Sequence, residues 1–94
     1  MPELSLNFYA SLRKIAGTKT VELRLPEQVT LNNMLDTVIN RYPEMQSKLL
    51  DENGRLDKRA HVFVNGRNCL LLGKGLETSP KNEDSIDIFP IGHF

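Results

Sequence analysis

Apolar residues recur along Thr30–Tyr42 at Leu31, Met34, Leu35, Val38, Ile39 and Tyr42, the spacing of a single helix face. Asn32, Asn33, Asp36, Asn40 and Arg41 fall on the opposite, water-facing side. Thr30 stands where its hydroxyl caps the first turn, and Val29 and Met34 occupy the two positions of a hydrophobic staple. Pro43 ends the run, because the residue before a proline is driven out of helical conformation. About twelve residues make a rod roughly 18 Å long. No other helical pattern in the chain is as long, so the remaining ordered segments must find their cover on this helix.

Elsewhere the period is two. Leu4, Leu6 and Phe8 alternate with Ser5, Asn7 and Tyr9, and Val21, Leu23 and Leu25 alternate with Glu22 and Arg24. Between these strands Ala10–Ala16 predicts a helical turn, with Leu12 and Ile15 inward and Gly17 as its C-cap. The pair forms an N-terminal antiparallel hairpin ended by Pro26. After Pro43, a second short helix over Glu44–Leu50 buries Met45, Leu49 and Leu50, a turn follows at Asp51–Gly54, and Arg55–Arg59 is polar and exposed. His61–Val64 is a strand, and Asn65-Gly66 then gives a strong hairpin signal, because both residue types tolerate positive φ. Cys69–Leu72 is expected to be the returning strand, Leu76–Pro80 an irregular 3₁₀ turn, Lys81–Ser85 a charged surface turn, and Ile86 and Ile88 the start of the last strand. A hairpin, a crossover helix and further strands predict an α+β domain with a mixed sheet of four to five strands and one main helix on one face. If the first strand lies centrally, the last pairs beside it in parallel, which is the β-grasp arrangement.

Bulk properties narrow the function. Ninety-four residues make one domain, 1–94, with a radius of gyration of about 12 Å. Twelve basic and 12 acidic residues balance to zero net charge, which removes the electrostatic reason to expect nucleic acid or an anionic membrane as partner. Aromatics are 6% and Trp is lacking, a poor base-stacking surface. One cysteine, Cys69, forms no internal disulfide. No apolar stretch approaches the ~20 residues of a membrane span and the N-terminus has no signal-peptide pattern, so a cytoplasmic location is expected.

Three stretches carry a family resemblance. Leu6-Asn7-Phe8-Tyr9-Ala10-Ser11-Leu12-Arg13 with Ala16-Gly17, then Val62-Phe63-Val64-Asn65-Gly66-Arg67, then Asp84-Ser85-Ile86-Asp87-Ile88-Phe89-Pro90, resemble in order and spacing the ubiquitin-like β-grasp sulfur carriers, chiefly the molybdopterin-synthase small subunit (MoaD) and its thiamine-pathway counterpart (ThiS). The resemblance implies a carrier and not a free-standing enzyme. Its C-terminal carboxylate would be adenylated by a partner activating enzyme using ATP, converted to a thiocarboxylate, and delivered to a sulfur-using enzyme such as a molybdopterin-synthase large subunit. It also implies a docking surface on the open sheet face, where Tyr9 and Phe63 point away from the helix. An alternative is a non-carrier ubiquitin-like interaction module that uses its surface alone.

Carriers of that family end in Gly-Gly, a tail that threads a narrow channel and leaves its carbonyl open to attack. Here the order is Pro90-Ile91-Gly92-His93-Phe94, expected as a flexible tail able to reach ~16 Å. Three readings stand open. Removal of His93-Phe94 leaves Gly92 as the carrier terminus; Phe94 acts as it stands, anchored in a partner's pocket; or the end does nothing. Phe89, Pro90, Ile91 and His93 join Tyr9 and Phe63 as candidate partner-binding residues.

The other chemistry-bearing residues have plainer readings. His61 and His93 with one cysteine are too few for a metal site, and His61 is a solvent-side strand residue. Cys69 is a buried thiol without an activating neighbour. Gly73-Lys74-Gly75 lacks the spacing of a phosphate-binding loop. Acidic residues from Asp51 to Asp87 are scattered over loop ends and form no acid–base pair. Arg13, Lys14, Lys19, Arg24 and Arg67 form either a basic face for an acidic partner or part of a mixed surface.

Overall fold

The computed structural model describes residues 2–92. Five strands form one sheet: β1 (Glu3–Phe8), β2 (Thr20–Arg24), β3 (His61–Val64), β4 (Arg67–Asn68) and β5 (Ser85–Phe89), in the order β2-β1-β5-β3-β4. Helices are α1 (Ser11–Ala16), α2 (Leu31–Arg41) and α3 (Gln46–Leu49), with short 3₁₀ turns at Pro43–Met45, Cys69–Leu71 and Gly75–Glu77. β1 and β5 run side by side in parallel, while β1–β2, β3–β5 and β3–β4 are antiparallel. This is the β-grasp arrangement, with β5 in the middle of the sheet.

The alternation along the strands decides which face meets α2. Leu4, Leu6 and Phe8 of β1, Val62 of β3, and Ile86 and Ile88 of β5 are all buried against Leu31, Met34, Leu35 and Val38 of α2 in one continuous core. Each of these side chains contributes on the order of 1.5–3 kcal/mol by leaving water. Tyr42, the C-cap residue of α2, sets its ring edge-on to Phe8 at 5.9 Å, so the helix end is pinned to the first strand. The N-terminus of α2 carries a full capping box. The Thr30 hydroxyl accepts from the Asn33 N–H at 3.2 Å, and Asn33 Oδ1 accepts from the Thr30 N–H at 3.1 Å. Asn33 stood on the polar face in the helical pattern; its reciprocal capping role is an addition.

The Asn65-Gly66 turn has φ of +51° and +84°, the two positive values a tight hairpin requires. Asn65 does more than turn. Its amide donates to Asp84 Oδ1 at 2.9 Å while its Oδ1 accepts from the Ser85 N–H at 2.9 Å, tying the hairpin to the start of β5.

Three expectations are corrected. Cys69–Leu72 is not the returning strand. β4 is only Arg67–Asn68, because Asn68 Oδ1 accepts from the Leu70 N–H at 3.0 Å and winds Cys69–Leu71 into a 3₁₀ turn. Leu70 and Leu71 are consequently exposed, while Cys69 stays buried. Arg55–Arg59 is not uniformly exposed: Leu56 forms an isolated bridge with Leu50 and packs on the core. Nor is the chain loose from residue 90. Pro90 is buried, and Ile91 packs on the core with its N–H donating to the Lys48 carbonyl at 2.9 Å.

Candidate protein-docking surface and carrier terminus

With Phe8, Val62 and Ile88 committed to the core, their neighbours must face the open side of the sheet. Register then assembles them. β5 sets Phe89 opposite His61 and Asp87 opposite Phe63, while Phe8 pairs with Ile88 and brings Tyr9 alongside Phe89. The rings of Tyr9 and Phe89 stack at 4.3 Å with 12° between planes, and Phe63 meets Phe89 edge-on at 5.6 Å. His61 extends the row to Phe63 at 6.3 Å. Beside it, His61, Phe63, Asn68 and Phe89 line a hollow of about 310 Å³. All four aromatic side chains are half-buried. They are held by one another and still present ring surface, the condition of an anchor for a partner side chain.

The other half of the open face is polar and cross-linked. Asn7 Nδ2 donates to Asp87 Oδ1 at 2.8 Å and to Ser85 Oγ at 3.2 Å, and Thr20 Oγ1 donates to Asn7 Oδ1 at 2.8 Å. The Tyr9 hydroxyl donates to Asp87 Oδ1 at 3.4 Å. Desolvation and the Asp87 carboxylate push the Tyr9 phenol above its ordinary pKa, so it remains a protonated donor. This network fixes Asp87 and thereby the strand that carries Phe89.

Of the residues singled out in the sequence, Tyr9, Phe63 and Phe89 come together on this face. Pro90 and Ile91 instead turn toward the protein's own α3 end. Gly92 is exposed with φ of +66°, while His93 and Phe94 lie outside the described residues. His61 and Asn68 were missed. The same alternation that set Phe63 outward places His61, two residues earlier, on the same face. Cys69 is buried, which raises its thiol pKa. Arg24 and Arg67 stand on β2 and β4 at the two ends of the sheet, and Arg24 pairs with Glu3 at 3.3 Å, so these two basic residues do not share a patch. Among the described residues no cluster of His, Cys, Asp and Glu could hold a metal, and no helix is long and apolar enough to cross a membrane.

The sequence profile of the ThiS family matches residues 6–92, from inside β1 to the exposed glycine. The chain belongs to the ThiS family. It is similar to small archaeal modifier protein 3 of Haloferax volcanii, 28% identical over 88 residues that make up 94% of each chain. Among solved structures, small archaeal modifier protein 1 of Methanosarcina acetivorans is 26% identical with a TM-score of 0.83, covering 100% of this chain and 97% of that one. A chain of the BexX/CysO complex of Amycolatopsis orientalis is 27% identical with a TM-score of 0.76 and 93% of each chain covered. ThiS-family proteins and these relatives are small ubiquitin-like carriers and modifiers, and this ThiS-family chain is one of them rather than a free-standing enzyme.

Proposed function

We propose that this protein is a sulfur carrier that docks on an activating enzyme through the Tyr9–Phe89–Phe63 face and works through the carboxyl group of Gly92. The observation that carries this reading is the path of β5. The central strand passes from Phe89, in the middle of the aromatic row, through the anchored Pro90 and Ile91 to an exposed glycine three residues later. A partner gripping the row therefore has the working atom within about 10 Å of chain.

A carboxylate is a poor electrophile, so it must first gain a leaving group. In the partner's site a carboxylate oxygen attacks the α-phosphorus of ATP and pyrophosphate departs, giving an acyl adenylate. A sulfide-level donor then attacks the acyl carbon, AMP leaves with the electron pair of the broken C–O bond, and the thiocarboxylate remains. ATP is the activating enzyme's substrate, and the sulfur passes to a sulfur-inserting enzyme such as a molybdopterin-synthase large subunit, in molybdenum-cofactor or related biosynthesis. ATP dependence fits a cytoplasmic location. His93-Phe94 follow Gly92, so the Gly92–His93 peptide bond must be cleaved first.

A second reading is favoured by the relatives named as modifiers: a lysine amine of a target protein, in place of sulfide, attacks the same adenylate and forms an isopeptide bond. One experiment separates these. The chain ended at Gly92 and the chain retaining His93-Phe94 are each incubated with ATP, the activating enzyme and a sulfur donor, and their intact masses are measured. The carrier reading expects one sulfur-for-oxygen exchange in the Gly92-ended chain alone. Adenylation of that chain without sulfur uptake, with adducts to added protein, favours the modifier. No adenylation of either chain by an enzyme that binds both overturns the C-terminal mechanism.

A further inference from the structure

The outer edge of β2 has no strand partner among the described residues, since β2 ends the sheet order. Its ladder with β1 fixes which backbone groups face outward. Leu25 N–H donates to the Pro2 carbonyl at 2.9 Å and Phe8 N–H to the Lys19 carbonyl at 2.7 Å. In this register hydrogen-bonded pairs alternate with open ones, so Val21 and Leu23 spend their N–H and C=O on β1, while Glu22 and Arg24 direct theirs out of the sheet. The side chains of Glu22 and Arg24 are exposed on the open face, and Leu23, at the edge, is half-buried.

We propose that β2 pairs antiparallel with β2 of a second copy of this chain, about a two-fold axis at Leu23. The segment is self-complementary in that register and in no adjacent one. With the axis at Leu23, each Glu22 faces Arg24 of the other copy, and both residues exchange their outward N–H and C=O groups, giving four backbone hydrogen bonds. The two Leu23 side chains meet across the axis at the closer, open type of pair, roughly 4.5 Å between Cα atoms. Shifting the axis to Glu22 sets two carboxylates face to face; shifting it to Val21 sets Glu22 opposite Thr20 and leaves Arg24 without a carboxylate across the seam. Exposed charges on an edge strand usually discourage pairing. Here their order, acid then base two residues on, selects one closed, isologous dimer and disfavours the slipped ones. On the open face the seam extends the existing Arg24–Glu3 pair at 3.3 Å into a row of alternating charge. The aromatic docking row runs from the end of β1 across β5 to β3, away from this edge, and stays accessible in the dimer.

Sedimentation of the whole chain over a concentration series tests this. The expected result is a monomer–dimer equilibrium that weakens as salt is raised. Glu22→Arg and Arg24→Glu each place like charges opposite one another at two sites and should weaken the dimer roughly tenfold or more. The double reversal restores complementarity and should recover it. Amide exchange of the unaltered chain supplies a readout free of folding effects: the Glu22 and Arg24 amides gain protection as concentration rises, while Val21 and Leu23 are protected throughout. A chain that stays monomeric at millimolar concentration overturns the proposal. So does a dimer indifferent to both single reversals, or a β2 edge protected only by an added extended peptide of another protein.

Discussion

Phe89→Ala probes the docking face most sharply, because Phe89 touches the aromatic rings on both sides of it. The substitution removes the stacked pair with Tyr9 at 4.3 Å and the edge-on pair with Phe63 at 5.6 Å. Ring pairs of this kind contribute about 0.5–1.5 kcal/mol each beyond area burial. Phe89 is half-buried and faces the open side, so the low end of that range applies and the fold should lose about 1–2 kcal/mol. For a domain of this size that corresponds to a fall in Tm of roughly 5–15 °C, with the protein still folded at room temperature. The effect on binding is larger in proportion. Loss of a central aromatic anchor typically costs about 2–4 kcal/mol of association, or roughly 30- to 1,000-fold in Kd. The assay is ATP–pyrophosphate exchange by the activating enzyme with the Gly92-ended chain as substrate. KM for the carrier should rise by at least 30-fold, while the turnover at saturation changes little, since the carboxyl group is untouched. If Tm falls as expected and KM stays within about twofold, the aromatic row is structural and the docking assignment is wrong.

Other outcomes follow from the same geometry. Thr30→Ala deletes the hydroxyl that accepts from the Asn33 N–H at 3.2 Å and should cost about 1 kcal/mol by thermal melting. Adding Asn33→Ala should cost less than it does alone, because the two halves of the box depend on each other. Asp87→Asn removes the charge that helps raise the Tyr9 phenol and leaves only a neutral amide oxygen to accept from it, so ultraviolet titration should find a lower phenol pKa, still held up by desolvation. With a raised folded value, Tyr9's contribution to stability is fully present below the unfolded phenol's pKa and is lost as pH climbs through the folded one. The Asn variant narrows that window and should lose less stability in alkali. Burial raises the Cys69 thiol, so alkylation of the native chain should be slow and should accelerate when denaturant unfolds it.

Periodicity made the architecture legible. One helical face over Thr30–Tyr42 and strict alternation at Leu4–Phe8 and Val21–Leu25 left few ways to bury the apolar residues, and α2, β1 and β2 lie where those patterns place them. Alternation likewise sent Tyr9 and Phe63 to the open face. It failed at Cys69–Leu72, where an apolar run looked like strand but a single side-chain acceptor on Asn68 turned the backbone into a 3₁₀ turn. Short polar contacts of this kind leave no periodic trace. The anchoring of Pro90 and Ile91 was invisible for a related reason: it depends on a carbonyl of Lys48, 43 residues earlier in the chain. His61 was read alone instead of with Phe63, although both belong to one alternating set.

The proposed chemistry centres on the Gly92 carboxyl group. The most direct test is the mass of the C-terminal peptide released by digestion of this protein, purified from its own cells. The expected peptide ends at Gly92, with sulfur replacing one carboxyl oxygen in part of the population. A population in which every copy retains His93 after Gly92 would contradict it.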